Sequence, residues 1–516
     1  MSSVSFAALT RNWSWSGIGS IWQLGSRFIL TPLILSKIDI EGYGVWVLLF
    51  SLSTTVDVLG SSFGQAYIKL AADRQAGQDP DVLAEEIGAG MGLLGGLSVL
   101  GLGTLWLLRG WILPWLSVPE PLLEPAGVAL LMICFTVCMH MSIGCVREVL
   151  VGLQRTDLST QSKLVSSTVH FVLAWILLER GWGLAGLGIS FAIGEVAATV
   201  YAWVWCRKVM PELVLSPLRA TRAGLRRVLG LGARFQGLYM LTQFTTQGFR
   251  MLLSAWLGPA ALGVFGLAER VLMLGELGAR TIQGPMMAAF ASLHASGESA
   301  RARFLYVSGS RLLFLTSLIS FGFLAVFADR IIDTWTGQAF EVAAWTVRAL
   351  AIAYVAKTLS AMGTADLRAR GVFDLEYQYT LLNVGARVGL VLPLAWLFAY
   401  EGFVLSGAIA LTVSSVWFFL RFQSRAGVPQ WASIWEIAVQ PLCAVLPVLI
   451  ASALLAQHMS ADEVLAGRWL ELARLLAWGV GVGSASLVVT WLFVLDTQER
   501  RELTRRVQSL HPKLAR

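Results

Sequence analysis

The stretch Thr242–Pro285, TQFTTQGFRMLLSAWLGPAALGVFGLAERVLMLGELGARTIQGP, decides how this chain folds. Two apolar runs flank Gly258-Pro259, a dipeptide that marks a turn, so the stretch reads as a helix pair. Yet Arg250, Glu269, Arg270, Glu276 and Arg280 lie inside those runs. Gln236, Gln243, Gln247, Arg250 and Ser254 recur at helical spacing and share one face of the first helix. Glu269, Glu276, Arg280 and Gln283 do the same on the second. A polar stripe within a membrane span is costly and is usually kept for a purpose.

The rest of the chain has the same character. Of its 516 residues 56% are hydrophobic and 14% charged, where a soluble chain carries roughly 25% charged residues. Apolar runs of about 20 residues, enough to cross a bilayer, recur with charges between them. The fold class that follows is an all-α polytopic membrane protein with about fourteen transmembrane helices, from 12–36 to 471–495. They are expected to group as an N-terminal six-helix lobe (1–205), a basic linker (206–233) and a second six-helix lobe (234–421). Two extra spans (422–495) and a basic tail (496–516) follow. A shift of 219 residues lays GYGVWVLLFSLSTTVDVLG (42–60) over ALGVFGLAERVLMLGELGA (261–279), with Gly44 on Gly263 and Asp57 on Glu276. The lobes therefore read as pseudo-symmetric copies around a central cavity.

Net charge is +7, and the surplus sits in alternate loops, among residues that include Arg147, Lys163, Arg219, Arg301, Arg370 and Arg425. That asymmetry places both termini in the cytoplasm and points to lipid rather than nucleic acid as the partner of the basic residues. The N-terminus lacks the pattern of a cleaved leader, so the first helix is expected to be retained. Five cysteines, mostly within apolar spans, imply no disulfide framework. Gly88, Gly92 and Gly96 make a close-packing seam.

Further polar stripes lie on other spans: Ser16, Ser20, Gln23 and Arg27; Lys357, Ser360 and Thr364; Thr380, Asn383 and Arg387. Four spans thus bring a cation to the membrane interior, Arg27, Arg250, Lys357 and Arg387, with Arg270 a candidate fifth. A lone buried cation costs roughly 2.5–3.5 kcal/mol on insertion scales, so several on separate spans are most simply explained by a shared wet cavity and an anionic ligand. The plainer reading is pairing. Glu276 and Arg280 at i, i+4 can satisfy each other, Glu269 and Arg270 can pair across helices, and Arg147 beside Glu148 near a cytoplasmic end can snorkel. Asp57 and Glu195 are buried acids that either pair with Arg27 or bind a coupling H⁺ or Na⁺. No GxxxxGK[ST], HExxH, GxSxG or CxxC motif appears, and the outward loops are too short to hold a catalytic domain, so an enzyme is not expected. No resident cofactor or metal is expected either.

The stretches 19–52, 147–167 and 250–272 resemble the polysaccharide-exporter branch of the multidrug/oligosaccharidyl-lipid/polysaccharide exporter superfamily, which includes the O-antigen and capsule flippases. The resemblance implies two helical lobes around a cavity that opens alternately to each side, cationic in the polysaccharide branch. It implies a flippase of the bacterial inner membrane that moves an undecaprenyl-diphosphate-linked oligosaccharide, working beside other polysaccharide-assembly proteins. Arg27, Arg250, Arg270, Lys357 and Arg387 are then expected to meet the diphosphate or acidic sugars. Gln23, Gln243, Gln247 and Asn383 would meet sugar hydroxyls, and Asp57, Glu195, Glu269 and Glu276 would pair with cations or carry a coupling ion. The alternatives are a cation-coupled exporter of small amphiphiles and a non-transporting scaffold for glycan assembly.

Overall fold

A computed structural model of the chain describes residues 6–75, 80–213, 216, 221–283, 285–458 and 468–494. The predicted basic tail (496–516) lies outside them, as do the side chains of Asp57 and Gln236. Among the described residues every regular element is helical. Ten stretches among the described residues are long and apolar enough to cross a membrane, against about fourteen expected in the whole chain. The difference arises partly because Thr246–Arg280 and Asp374–Ala426 each carry two expected spans through a break, and partly because Phe6–Gln75, where two spans are expected, is not among the ten. α1 (Phe6–Gln75) has 70 residues, about 105 Å at helical rise, far more than a bilayer core of about 30 Å.

Three residues fold such helices back. In α1 it is Asp39 (φ 58, ψ −175), whose Oδ1 accepts the Gly42 amide at 2.8 Å and caps the second half. α8 (Phe249–Gln283) breaks at Gly258 (φ 85, ψ 165), followed by Pro259, the turn read from the sequence. α13 (Asp374–Ala426) breaks at Ala399 (φ 46, ψ −116). The 219-residue shift carries Asp39 onto Gly258, so the suspected repeat places two breaks of nearly the same backbone conformation at equivalent positions.

The chain divides into two compact units, Met1–Gly266 and Leu267–Arg516. The first holds α1, α2 (Pro80–Trp115), α3 (Leu123–Ser142), α4 (Val146–Gly152), α5 (Thr156–Glu179), α6 (Gly183–Val209), α7 (Arg222–Gln243) and the start of α8. Here α5 packs along α6, α3 lies against α2 and α6, and α1 against α3, α5 and α7. The boundary falls later than the 206–233 segment for a visible reason. Leu213 and Val228 of that segment are buried in a core with Tyr67, Ile87, Val149 and Cys206. Thr221 accepts the Gly224 amide at 3.1 Å and starts α7, so the end of the expected linker is helix. Arg227 then donates to the buried Glu86 of α2 at 2.6 Å.

The two breaks also meet within this unit. A Cβ on Gly44 would lie 1.7 Å from the Pro259 carbonyl oxygen, and one on Gly263 would lie 2.5 Å from that of Ile40. The repeat shift exchanges these two contacts, Gly44 with Gly263 and Ile40 with Pro259. The crossing is therefore self-complementary, with backbones at a separation only glycine permits.

The second unit holds the rest of α8, α9 (Met286–Ala295), α10 (Ser299–Val326), α11 (Ala328–Thr336), α12 (Glu341–Ala369), α13, α14 (Gln430–Ile434), α15 (Gln440–His458) and α16 (Arg468–Phe493). α12 packs along α13 and α10, and α15 bridges α10 and α16.

Candidate functional site

Each unit contains a polar cavity. In the first, a space of about 100 Å³ is lined by Gln23, Ser26 and Arg27 of α1, Lys163, Ser166 and His170 of α5, and Glu195 of α6, with aromatic side chains beside them. The α1 residues are the stripe read from the sequence. The α5 residues are not. Lys163, Ser166, Ser167 and His170 stand at i, i+3, i+4 and i+7 and so share one face. That spacing was the available signal, but Lys163 reads as a loop charge in the sequence, whereas it lies within α5.

The carboxylate of Glu195 is held from two sides. Ser166 Oγ donates to Oε1 at 2.6 Å, and Arg147 Nη2 donates to Oε2 at 2.8 Å. Arg147 is only 4% exposed. This corrects the expectation that Arg147 snorkels beside Glu148: α4 turns it into the protein, and Glu148 instead lies 3.5 Å from His140. A buried guanidinium is tolerated because a carboxylate, itself steadied by the Ser166 hydroxyl, pairs with it. His170 meets Ser190 through Nδ1 at 3.1 Å and stacks on Trp46. The lining holds two cations, Arg27 and Lys163, against one carboxylate, Glu195, so its formal charge is positive.

The second unit encloses about 260 Å³ lined by Glu276, Arg280 and Gln283 of α8, Lys357, Ser360, Thr364 and Arg368 of α12, and Glu376 and Tyr379 of α13. Glu276 accepts from Arg280 at 2.6 Å and from Lys357 at 3.0 Å. The i, i+4 pair expected from the sequence is therefore present, and Lys357 joins it. Lys357 also sits 5.1 Å from the centre of the Tyr354 ring. Arg368 closes the other side through a bidentate pair with Glu376. Three cations face two carboxylates, so this lining is positive as well. Arg368 and Glu376 were missed because both sit where α12 and α13 end and begin, which in sequence looks like loop.

The remaining candidates lie elsewhere. Arg250 Nη1 donates to Gln247 Oε1 at 3.1 Å, one turn apart on the same face, as the stripe requires. Gln247 is buried in a widened π turn, Phe244–Gly248, that joins α7 to α8; Gln243 ends α7 half-buried. Such turns are often found at functional positions. Glu269 and Arg270 are half-buried on α8 and engaged within the protein. Arg387 and Asn383 turn toward the returning half of α13. Asn383 Nδ2 donates to Ser414 at 3.0 Å, and the Arg387 guanidinium lies against Gly407, where a Cβ would be 2.9 Å from Nη2. Gln23, Arg27 and Glu195 are thus brought together, as are Glu276 and Lys357, and Gln247 with Arg250.

Known proteins share this architecture. A multidrug resistance MATE family transporter of the MOP superfamily, in an inward-facing conformation, superposes with a TM-score of 0.69 at 15% identity over 81% of this chain and 98% of its own. The lipid II flippase MurJ, in an inward closed conformation, gives 0.72 at 11% identity over 92% and 98%. A MATE structure in a bent conformation gives 0.59 at 16% identity over 83% and 97%. At such identities the likeness is one of fold. No curated protein matches the chain in sequence. The model of one family, described as polysaccharide biosynthesis protein, matches residues 9–290, more than half of the chain and the whole of the Thr242–Pro285 stretch. This multi-pass, all-helical chain belongs to the polysaccharide biosynthesis protein family.

Proposed function

We propose that the protein is a flippase that carries a polyprenyl-diphosphate-linked oligosaccharide across the bacterial inner membrane by alternating access. The observation that supports this most is the sign of the two cavities. Both linings are polar and net positive, and each carboxylate in them is already paired. A diphosphate is complementary to such linings, and hydroxyl and amide side chains around the cations suit a sugar. Arg27 and Lys163 with Gln23, and Lys357 with Arg280 and Arg368, are the residues assigned to it; Arg250 with Gln243 and Gln247 forms a third element of the same machinery. Asn383 and Arg387 take a secondary place, since they face their own hairpin. The lobes at 1–205 and 234–421 rock around the 206–233 linker, with both termini cytoplasmic and H⁺ or Na⁺ as the coupling ion.

The fold shared with a multidrug transporter at a TM-score of 0.69 favours a second reading, export of small amphiphiles coupled to a cation. Glu195 is the acid that reading would use. One experiment separates the two. In cells lacking the chromosomal copy, Arg27→Ala and Lys357→Ala are expected to abolish surface glycan and to trap the lipid-linked intermediate on the cytoplasmic leaflet, and Arg27→Lys to retain part of the function. Normal surface glycan in both alanine variants, at wild-type protein levels, refutes the flippase assignment of these cavities. Lost drug tolerance with intact glycan supports the exporter.

A further inference from the structure

A third polar cavity, of about 220 Å³, lies at one end of the second unit, apart from those above. Four helices end on it. α9 contributes His294, α10 its first turns with Ser299, Ala302, Arg303 and Tyr306, α12 Asp366 and the residue that caps the helix, Arg370, and α13 Phe422 and Arg425. Three guanidiniums therefore converge on a space large enough for a phosphate and its ester oxygens. Asp366 is the one carboxylate in the lining; its Oδ2 forms an ion pair with Arg370 at 2.5 Å and its Oδ1 meets His294 Nε2 at 2.5 Å. Arg425 reaches Asp374 at 2.5 Å, and no carboxylate among the described residues pairs with Arg303. The Tyr306 hydroxyl, buried in the wall, has Ser310 and Gln423 as polar neighbours but no hydrogen bond of good geometry.

Arginines at helix C-termini are favoured by the helix dipole alone, which accounts for Arg370 and Arg425 but not for Arg303, which sits at a helix N-terminus and there opposes the dipole. The surroundings say what balances it. Phe304 and Phe373 are exposed beside the arginines, and just past Val428 of the cavity wall stand Trp431, 85% exposed, and Trp435, 58% exposed. Exposed tryptophan next to arginine marks the level of lipid headgroups. Basic pockets between membrane helices at that level bind anionic headgroups.

We propose that this cavity binds the phosphodiester of an anionic phospholipid, with Arg303, Arg370 and Arg425 on the phosphate oxygens and the aromatic rim in the headgroup layer. The site stands whatever the transported cargo is. The test uses purified full-length protein in phosphatidylcholine–detergent micelles, titrated with phosphatidylglycerol, with bound lipid counted by native mass spectrometry. Phosphatidylglycerol should be retained in preference to phosphatidylcholine. Arg303→Gln should weaken it roughly fivefold, the value of one arginine near a membrane surface. Ala302→Leu, which fills the cavity and keeps every charge, should weaken it too, whereas Arg301→Gln, whose partner is Glu298, should not. Equal retention of the two lipids by the wild type, or unchanged affinity in both Arg303→Gln and Ala302→Leu, overturns the proposal. Displacement of the lipid by sodium phosphate overturns the lipid assignment in favour of a soluble anion.

Discussion

Arg147 and Glu195 show how a charge is kept inside an apolar helix bundle. Their ion pair, with Ser166 as the third member, removes both charges from consideration as free ligands. Removing one partner of a buried pair typically costs about 3–5 kcal/mol because the other charge is stranded, whereas replacing both by apolar residues can be near neutral. Glu195→Ala is therefore expected to lower the melting temperature in detergent sharply, and the Arg147→Met/Glu195→Leu double variant to recover most of the loss. A double variant no more stable than the single one contradicts the pairing. Asp333, on α11 outside the spans, makes a different prediction. Burial, and then the neighbouring Asp329 carboxylate, raise its pKa from the ordinary aspartate value. A carboxyl that binds its proton more tightly when folded contributes stability that is present below the unfolded pKa and is lost as pH rises through the folded one. Asp333→Asn is thus expected to melt higher than wild type at neutral pH. The advantage should vanish toward about pH 4, near the unfolded carboxylate value. A gain independent of pH would show that another interaction is responsible.

At the level of the helices, the sequence was informative where periodicity spoke and silent where the chain changed direction. The Gly258-Pro259 turn was legible because glycine and proline punctuate helices, and the stripes of α1, α8 and α12 were legible because polar residues at helical spacing stand out in apolar runs. The break at Asp39 was not, since nothing local distinguishes an aspartate that caps a new helix from one on a loop until its bond to Gly42 is seen. The stripe on α5 was lost because Lys163 was counted as a loop charge. The pairing of Lys357 with Glu276 joins residues 81 positions apart, which no local pattern encodes. The α1–α8 crossing gives the test at this scale. Gly44→Ala places a methyl group 1.7 Å from a backbone oxygen, which only a backbone shift can relieve, at a typical overpacking cost of about 1–3 kcal/mol. Gly263→Ala, its counterpart under the repeat, is expected to cost a similar amount, and Gly17→Ala, with open space around it, nothing measurable. Thermal denaturation of the three variants decides the matter; an innocuous Gly44→Ala would mean that the crossing is looser than the geometry requires.

For the whole molecule, the repeat and the charge pattern argue toward one topology. Breaks at Asp39 and Gly258 fall at positions equivalent under the 219-residue shift, and an even number of spans per copy, as the sequence leads one to expect, would make corresponding spans run in the same direction. The basic residues then gather at one set of connections: Arg155 at the α4–α5 turn, Arg301 and Arg303 in the opening turns of α10, and Arg368 and Arg370 at the α12–α13 turn. The opposite connections carry Pro119, Trp182 and the Gly258-Pro259 turn and few cations. Basic loops stay on the side from which the chain is inserted because moving them across costs most, so the first set is expected in the cytoplasm. Single-cysteine labelling in intact cells measures this directly. The background must lack the native cysteines; Cys134, Cys138, Cys145 and Cys206 are buried and Cys443 is exposed, so Cys443 is the one whose removal matters most for the readout. An impermeant maleimide is expected to modify Glu120→Cys and Trp182→Cys from outside and to leave Arg301→Cys and Gly371→Cys unmodified until the membrane is opened. The reverse pattern would invert the topology. It would also put the arginine cavity of the second unit on the outer face.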